Sequence, residues 1–172
     1  MTRVWAICQK EFQGYFNSLI AYIFTILFLG VVNFLFIWFI LFPSGNINFN
    51  YYFEFLVYGI WFIIPAITMR SWAEEKKLKT DELLLTFPVT DWEVVLGKYL
   101  AGVLFFGLIL ILSWVVPLST ALIGKPDWSA IFAGYLGIFL VACSFIAVGT
   151  TMSALTKSQT IAFLLSLIIC LF

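Results

Sequence analysis

The fold is decided by one apolar run, LIAYIFTILFLGVVNFLFIWFILF, which occupies residues 19–42 and contains no charged side chain in 24 residues. As an α-helix this run would extend about 36 Å, because each residue adds about 1.5 Å. The hydrocarbon core of a bilayer is about 30 Å thick, so the run can cross it with some tilt. We therefore expect the first membrane span here.

Four further apolar runs follow, at residues 51–69, 94–123, 130–155 and 159–172. The last of these is short for a membrane crossing. Pro65 and Pro117 interrupt the second and third runs, and each is expected to free a backbone carbonyl of its helix. The pattern predicts an all-α, polytopic bundle of transmembrane helices that forms a single domain over residues 1–172.

The composition excludes several classes of protein. Of the 172 residues, 63% are apolar and only 10% are charged, whereas a soluble domain carries about a quarter charged residues. The chain has no histidine, and its cysteines, Cys8, Cys143 and Cys170, lack the spacing of a metal site or a disulfide framework. These features exclude a soluble enzyme, a disordered tail and a nucleic-acid binder. They also argue against a membrane-embedded enzyme, because the chain offers no histidine or metal-site spacing for catalysis. We expect no cofactor, and we expect the cysteines to be buried apolar groups.

The basic residues predict the orientation. With the N-terminus in the cytoplasm, eight of the nine lie on the cytoplasmic side and only Lys125 lies outside. The positive-inside rule therefore predicts a multi-pass protein of the cell (inner or plasma) membrane with a cytoplasmic N-terminus. Near that terminus, Arg3 and Lys10 flank aromatic residues, which is typical of an interfacial helix on anionic headgroups. The eight predicted cytoplasmic residues are Arg3, Lys10, Arg70, Lys76, Lys77, Lys79, Lys98 and Lys157.

Residues 70–98 form a cytoplasmic loop that carries 11 of the 18 charged side chains. We predict a short helix at residues 80–88, because a polar cap and two acidic residues precede an apolar run that a proline ends. Its leucine-rich face suits a groove in a cytoplasmic protein or the headgroup layer, and the pattern leaves both open. The residues of this helix are Thr80, Asp81, Glu82, Leu83, Leu84, Leu85, Phe87 and Pro88.

The two flanks of this helix are predicted to be extensions of the neighbouring spans. Nothing in residues 70–77 breaks a helix, so the second span is expected to continue into water. After the loop, Thr90 and Glu93 have the spacing of a capping box, which predicts that the third long helix begins near Asp91. The charged flanking residues are Arg70, Glu74, Glu75 and Lys98.

The motifs of this loop resemble those of a known family. MRSWAEEK at 69–76, TDELLLTFPVT at 80–90 and VLGK at 95–98 resemble the permease subunit of ABC-2 type transporters, especially the gliding-motility and copper-export-associated branches. The runs KEF, YF and SLIAY within residues 10–22 are similar to that family's amphipathic N-terminal segment. Lys79 stands where the family usually has glycine. A sixth span is missing, so we expect the chain to be a fragment.

The resemblance implies an ATP-driven exporter. This subunit and a second permease copy or paralogue would form the pathway in the lipid bilayer, and a separate ATP-binding subunit would hydrolyse ATP. The sequence has no G-x-x-x-x-G-K-[ST] phosphate loop of its own. By the same resemblance, residues 80–88 would be the coupling helix that sits in a groove of the ATPase. The alternative is a non-transporting membrane scaffold whose loop recruits a cytoplasmic partner.

Overall fold

The computed structural model describes residues 2–42, 49–78, 90–122, 124 and 126–171, and every regular element in these ranges is a helix. The coupling helix predicted at 80–88 lies outside the described residues. The helices are α1 (Thr2–Phe16), α2 (Leu19–Phe36, continued by a π-helical turn at Ile37–Leu41), α3 (Phe49–Thr68), α4 (Ala73–Leu78), α5 (Asp91–Ser113), α6 (Val115–Ala121), α7 (Trp128–Leu155) and α8 (Gln159–Leu171).

Within the described residues, four stretches of helix are long and apolar enough to cross a membrane. Each overlaps one of the first four predicted apolar runs, and the second extends eight residues beyond its predicted end at residue 69. The fifth run forms α8, whose 13 residues are fewer than a crossing usually needs. The chain is therefore an all-helical, multi-pass membrane protein. The four stretches are Leu19–Phe39, Phe49–Lys77, Asp91–Ala121 and Trp128–Leu155.

The helix α3 lies at the centre of the bundle, where it contacts α2, α7 and α8. Its buried side chains recur every three or four residues, at Tyr52, Leu56, Ile60, Ile63 and Ile67, so one stripe of the helix faces its neighbours. About half of the most apolar part of α3 is buried, against 22% for α2. Most of the α2 surface is therefore available to lipid.

Two glycines of α7 bring it into close contact with α3. A methyl group at Gly134 would overlap the ring of Phe53, and one at Gly149 would overlap the side chain of Thr68. Small residues allow helix backbones to approach closely in a membrane, where van der Waals packing holds helices together. The helices α3 and α7 are thus packed along much of their length.

A break in the third span is stabilised by hydroxyl groups. The helix α5 ends at Ser113, and α6 carries Pro117 in its first turn, so the Ser113 carbonyl loses its normal helical donor. The Tyr52 hydroxyl donates to this carbonyl at 3.2 Å and lies 3.4 Å from Asn33 Oδ1. The Ser113 hydroxyl donates to Tyr135 at 3.0 Å. These four side chains, here called the hydroxyl network, link α2, α3, α5 and α7.

Candidate functional site

The stretch Phe49–Lys77 continues towards the loop, as the sequence predicts, but not as unbroken α-helix. A turn at residues 69–72 separates α3 from α4. Ser153 of α7 is fully buried beside this turn, where its Oγ accepts the N–H groups of Trp72 and Ala73, both at 3.1 Å. The same hydroxyl donates to the Met69 carbonyl at 3.0 Å. Ser153 thus supplies bonds that a continuous helix would make within itself.

Lys98 of α5 is only 1% exposed and lies beside this turn. Its Nζ is 2.9 Å from Glu11 Oε1, 2.9 Å from Glu75 Oε1 and 2.7 Å from the Ser71 carbonyl oxygen. Each of the three ammonium N–H bonds therefore has an acceptor. The ring of Trp72 lies 5.0 Å from Nζ and adds a cation–π contact. We call these five residues the Lys98 cluster.

The Lys98 cluster joins three parts of the chain that are distant in sequence. Glu11 belongs to α1, Lys98 belongs to α5, and the remaining members belong to the turn and to α4. Removing an ammonium group from water costs several kcal/mol unless charged partners and hydrogen bonds compensate for it. Two carboxylates and one carbonyl supply that compensation here. The first turns of α5 are therefore fixed to α1 and to the end of the second span.

Arg70 and Glu74 form a second ion pair next to the cluster. The guanidinium is bidentate, with Nε 2.6 Å from Glu74 Oε2 and Nη2 2.7 Å from Oε1. Arg70 Nη1 also donates to the hydroxyl of Ser18, which caps α2 by accepting the N–H of Ala21 at 3.3 Å. Because both side chains of the ion pair are about a third exposed, the pair contributes at most about 1 kcal/mol. Its main effect is to connect the end of α3 to the start of α2.

The helix α1 lies alongside the first turns of α5. A Cβ on Gly97 would lie 2.7 Å from the Ile7 side chain, and the ring of Tyr15 stacks on Phe105 with centroids 4.7 Å apart. Successive turns of α1 therefore contact successive turns of α5. Burial, with a smaller contribution from the charge of Glu11, raises the pKa of the Tyr15 phenol, which stays protonated. The predicted N-terminal helix is present, and its position at the membrane surface stays a prediction.

The structure pairs the four predicted residues on the flanks of the loop, Arg70 with Glu74 and Lys98 with Glu75. The eight predicted residues of the coupling helix, within 80–88, lie outside the described residues. Sequence reasoning did not assign Glu11, Ser71, Trp72 or Ser153 to the site. For Glu11 a signal exists, since Val4, Cys8, Glu11 and Tyr15 are spaced three or four residues apart and define the inner face of α1.

The arrangement suits mechanical connection between helices rather than chemistry. All three N–H bonds of the Lys98 ammonium have acceptors within the protein, so none is left to bind a substrate. Among the residues that the structure describes, no three His, Cys, Asp or Glu side chains are grouped to hold a metal ion. The cluster therefore joins helices where two membrane spans end.

Fold and site together define a helical, multi-pass membrane protein with a charged cluster that connects helices. The chain matches the family described as ABC-2 family transporter protein over residues 7–172. It belongs to this family, whose membrane domains have no catalytic activity of their own. The resemblance predicted from the loop motifs is confirmed at the level of the family. No curated protein and no solved structure matches the chain.

Proposed function

We propose that this chain is the permease subunit of an ATP-driven exporter, in which a separate cytoplasmic ATPase subunit drives the cycle. Membership of the ABC-2 family supports a transport role, and the sequence contains no phosphate loop. Residues 19–42 carry no charge, and the other long runs lack a carboxylate near their centres. Carriers driven by protons or sodium usually need such groups, so ATP is the better-supported energy source.

The observation that carries this proposal is the ion pair between Lys98 and Glu75, 2.9 Å apart, across the base of the loop. The segment 79–89 leaves α4 and enters α5, so this ion pair joins the two ends of the segment. A partner that pulled on the segment would therefore move α4 and α5 together. Glu11 would extend the same displacement to α1, since it also binds Lys98. A rigid base of this kind is what a coupling helix at 80–88 requires.

The proposed complex contains a second permease copy or paralogue, as the family resemblance implies, and the motifs favour the gliding-motility and copper-export-associated branches. The N-terminus and the loop are placed in the cytoplasm, because eight of the nine basic residues then lie on that side. An ATPase can bind the loop only in this orientation, so a test of ATPase binding also tests the orientation.

The experiment replaces the leucines predicted to contact the ATPase. The double variant Leu83→Asp, Leu84→Asp places two charges on the apolar face, and we expect at least a tenfold loss of ATPase that co-purifies with the chain in mild detergent. The matched control is Leu155→Asp, since Leu155 is exposed at the end of α7 that lies beside the loop base. It is expected to retain the ATPase.

Equal retention of the ATPase by both variants would contradict the assignment of residues 80–88 as the coupling helix. If no ATPase co-purifies with the unmodified chain and another cytoplasmic protein binds the loop instead, the scaffold alternative is supported and the permease proposal fails.

A further inference from the structure

A polar pocket of about 210 Å³ lies between α1 and the turn that follows α3. One water molecule needs a cavity of only about 10–15 Å³, so the pocket can hold a larger polar group. The described residues that line it all lie outside the segment 79–89. The lining residues used below are Glu11, Gly14, Ser18, Arg70, Ser71 and Glu74.

The pocket lies where two membrane spans end. Ser18 caps the first residues of α2, and Arg70 follows the end of α3 by two residues. Because both residues stand at the ends of apolar runs, we place the pocket at the level of the lipid headgroups. Gly14 is exposed at its rim, and a Cβ there would meet no atom within 4 Å. A lipid headgroup can therefore approach from the side of α1.

The donors of Arg70 are only partly used within the protein. Three of its five N–H bonds go to Glu74 and Ser18, and the other two have no acceptor among the described residues, so they are available to a ligand. A guanidinium with free N–H groups is well suited to a phosphate oxygen. Ser71 also lines the pocket and is 6% exposed, and its hydroxyl has no hydrogen-bond partner among the described residues. The pocket wall thus contains unused hydrogen-bonding groups.

The charges of the lining select against a purely anionic ligand. Among the described residues of the lining, Arg70 is the one cation, while Glu11 and Glu74 are both carboxylates. Arg70 already neutralises Glu74 by its bidentate pairing. Glu11 binds Lys98 through Oε1, and among the described residues its second oxygen has no hydrogen-bond donor, so it can accept from an ammonium group. A ligand with a phosphate and a primary ammonium would match both.

We propose that this pocket binds the headgroup of phosphatidylethanolamine. Its phosphate accepts from the free N–H groups of Arg70, and its ammonium donates to Glu11. Phosphatidylglycerol lacks the cation, and the quaternary ammonium of phosphatidylcholine has no N–H to donate. The bound lipid would fill the space between α1 and the turn after α3, and so stabilise α1 in its position along α5.

The test measures which lipids remain bound to the full chain. The protein is purified in mild detergent and offered equal amounts of phosphatidylethanolamine, phosphatidylglycerol and phosphatidylcholine, and retained lipids are counted by native mass spectrometry. We expect phosphatidylethanolamine to exceed each of the others at least fivefold. Glu11→Gln keeps an oxygen for Lys98 but removes the charge, so the preference over phosphatidylglycerol should fall at least threefold.

A steric variant provides a second test. Gly14→Trp adds bulk at the rim of the pocket and should reduce retained phosphatidylethanolamine at least fivefold. Gly30→Trp is the matched control, since a Cβ at Gly30 also meets no atom within 4 Å but lies within the first span. It should retain the lipid. If Glu11→Gln gives no folded protein, the comparison of Gly14→Trp with Gly30→Trp alone tests whether the pocket binds the headgroup.

Three outcomes would overturn the proposal. The first is equal retention of the three lipids by the unmodified chain. The second is an unchanged preference in folded Glu11→Gln together with equal binding by the two tryptophan variants. The third is displacement of the lipid by soluble glycerophosphoethanolamine at an equal concentration, which would assign the pocket to a soluble solute instead of a membrane lipid.

Discussion

The Lys98 cluster and the hydroxyl network both connect several helices, but they use different chemistry. The cluster has an ammonium between two carboxylates where the spans end, whereas the network has only neutral groups and lies between α2, α3, α5 and α7. An ionised side chain costs more the deeper it lies in the hydrocarbon layer. Strong, charged connections are therefore placed at the membrane edge, and weak, neutral connections are placed within it.

The largest effect is expected when the charged connection is broken. Lys98→Met retains most of the side-chain volume but leaves Glu11 and Glu75 facing each other without a cation. Removing one partner of a buried ion pair costs about 3–5 kcal/mol. We expect the free energy of unfolding in mixed detergent micelles, followed by tryptophan fluorescence, to fall by that amount. Lys157→Met, which removes an exposed lysine, should change it by less than about 0.5 kcal/mol. Equal effects of the two variants would show that the Lys98 ion pairs do not hold the fold together.

An intermediate effect is expected at Ser153, which is buried but neutral. Ser153→Ala removes the hydroxyl that binds three backbone groups of the turn after α3. Leaving buried backbone groups without partners should lower the free energy of unfolding by about 2 kcal/mol. Ser144→Ala is the control, because the Ser144 hydroxyl is exposed and donates only to the Leu140 carbonyl of its own helix. A loss no greater than that of the control would mean that the turn keeps its conformation without Ser153.

The smallest effect is expected in the hydroxyl network. Tyr52→Phe removes the donor to the Ser113 carbonyl, and single hydrogen bonds between membrane helices contribute about 0.6 kcal/mol on average. We expect a loss of about 1 kcal/mol or less in the same unfolding measurement. Tyr58→Phe serves as the control, because Tyr58 is exposed on the same helix. A loss as large as that of Lys98→Met would show that the hydroxyl network stabilises the fold as strongly as the Lys98 cluster does.

The sequence predicts those features that depend on neighbouring residues. The start of α5 at Asp91 is confirmed, and Glu93 Oε2 accepts the Thr90 N–H at 2.9 Å as the capping pattern predicts. The turn after α3 could not be predicted in this way, because its hydrogen bonds come from Ser153, some 80 residues later. The burial of Lys98 likewise depends on Glu11, 87 residues earlier. Apolar runs predict the helices, whereas the partners of polar side chains depend on how the helices pack.

The three bonds of Ser153 limit how the bundle can rearrange. A shift of α3 along α7 by one helical turn, about 5.4 Å, would break all three bonds at once. Gly149 adds to this restraint, because the Thr68 side chain packs directly against it on the same side of α7. We therefore expect α3 and α7 to move as one rigid body during any conformational cycle. Sliding of one helix against another is then expected at boundaries with fewer contacts, such as that between α2 and α5.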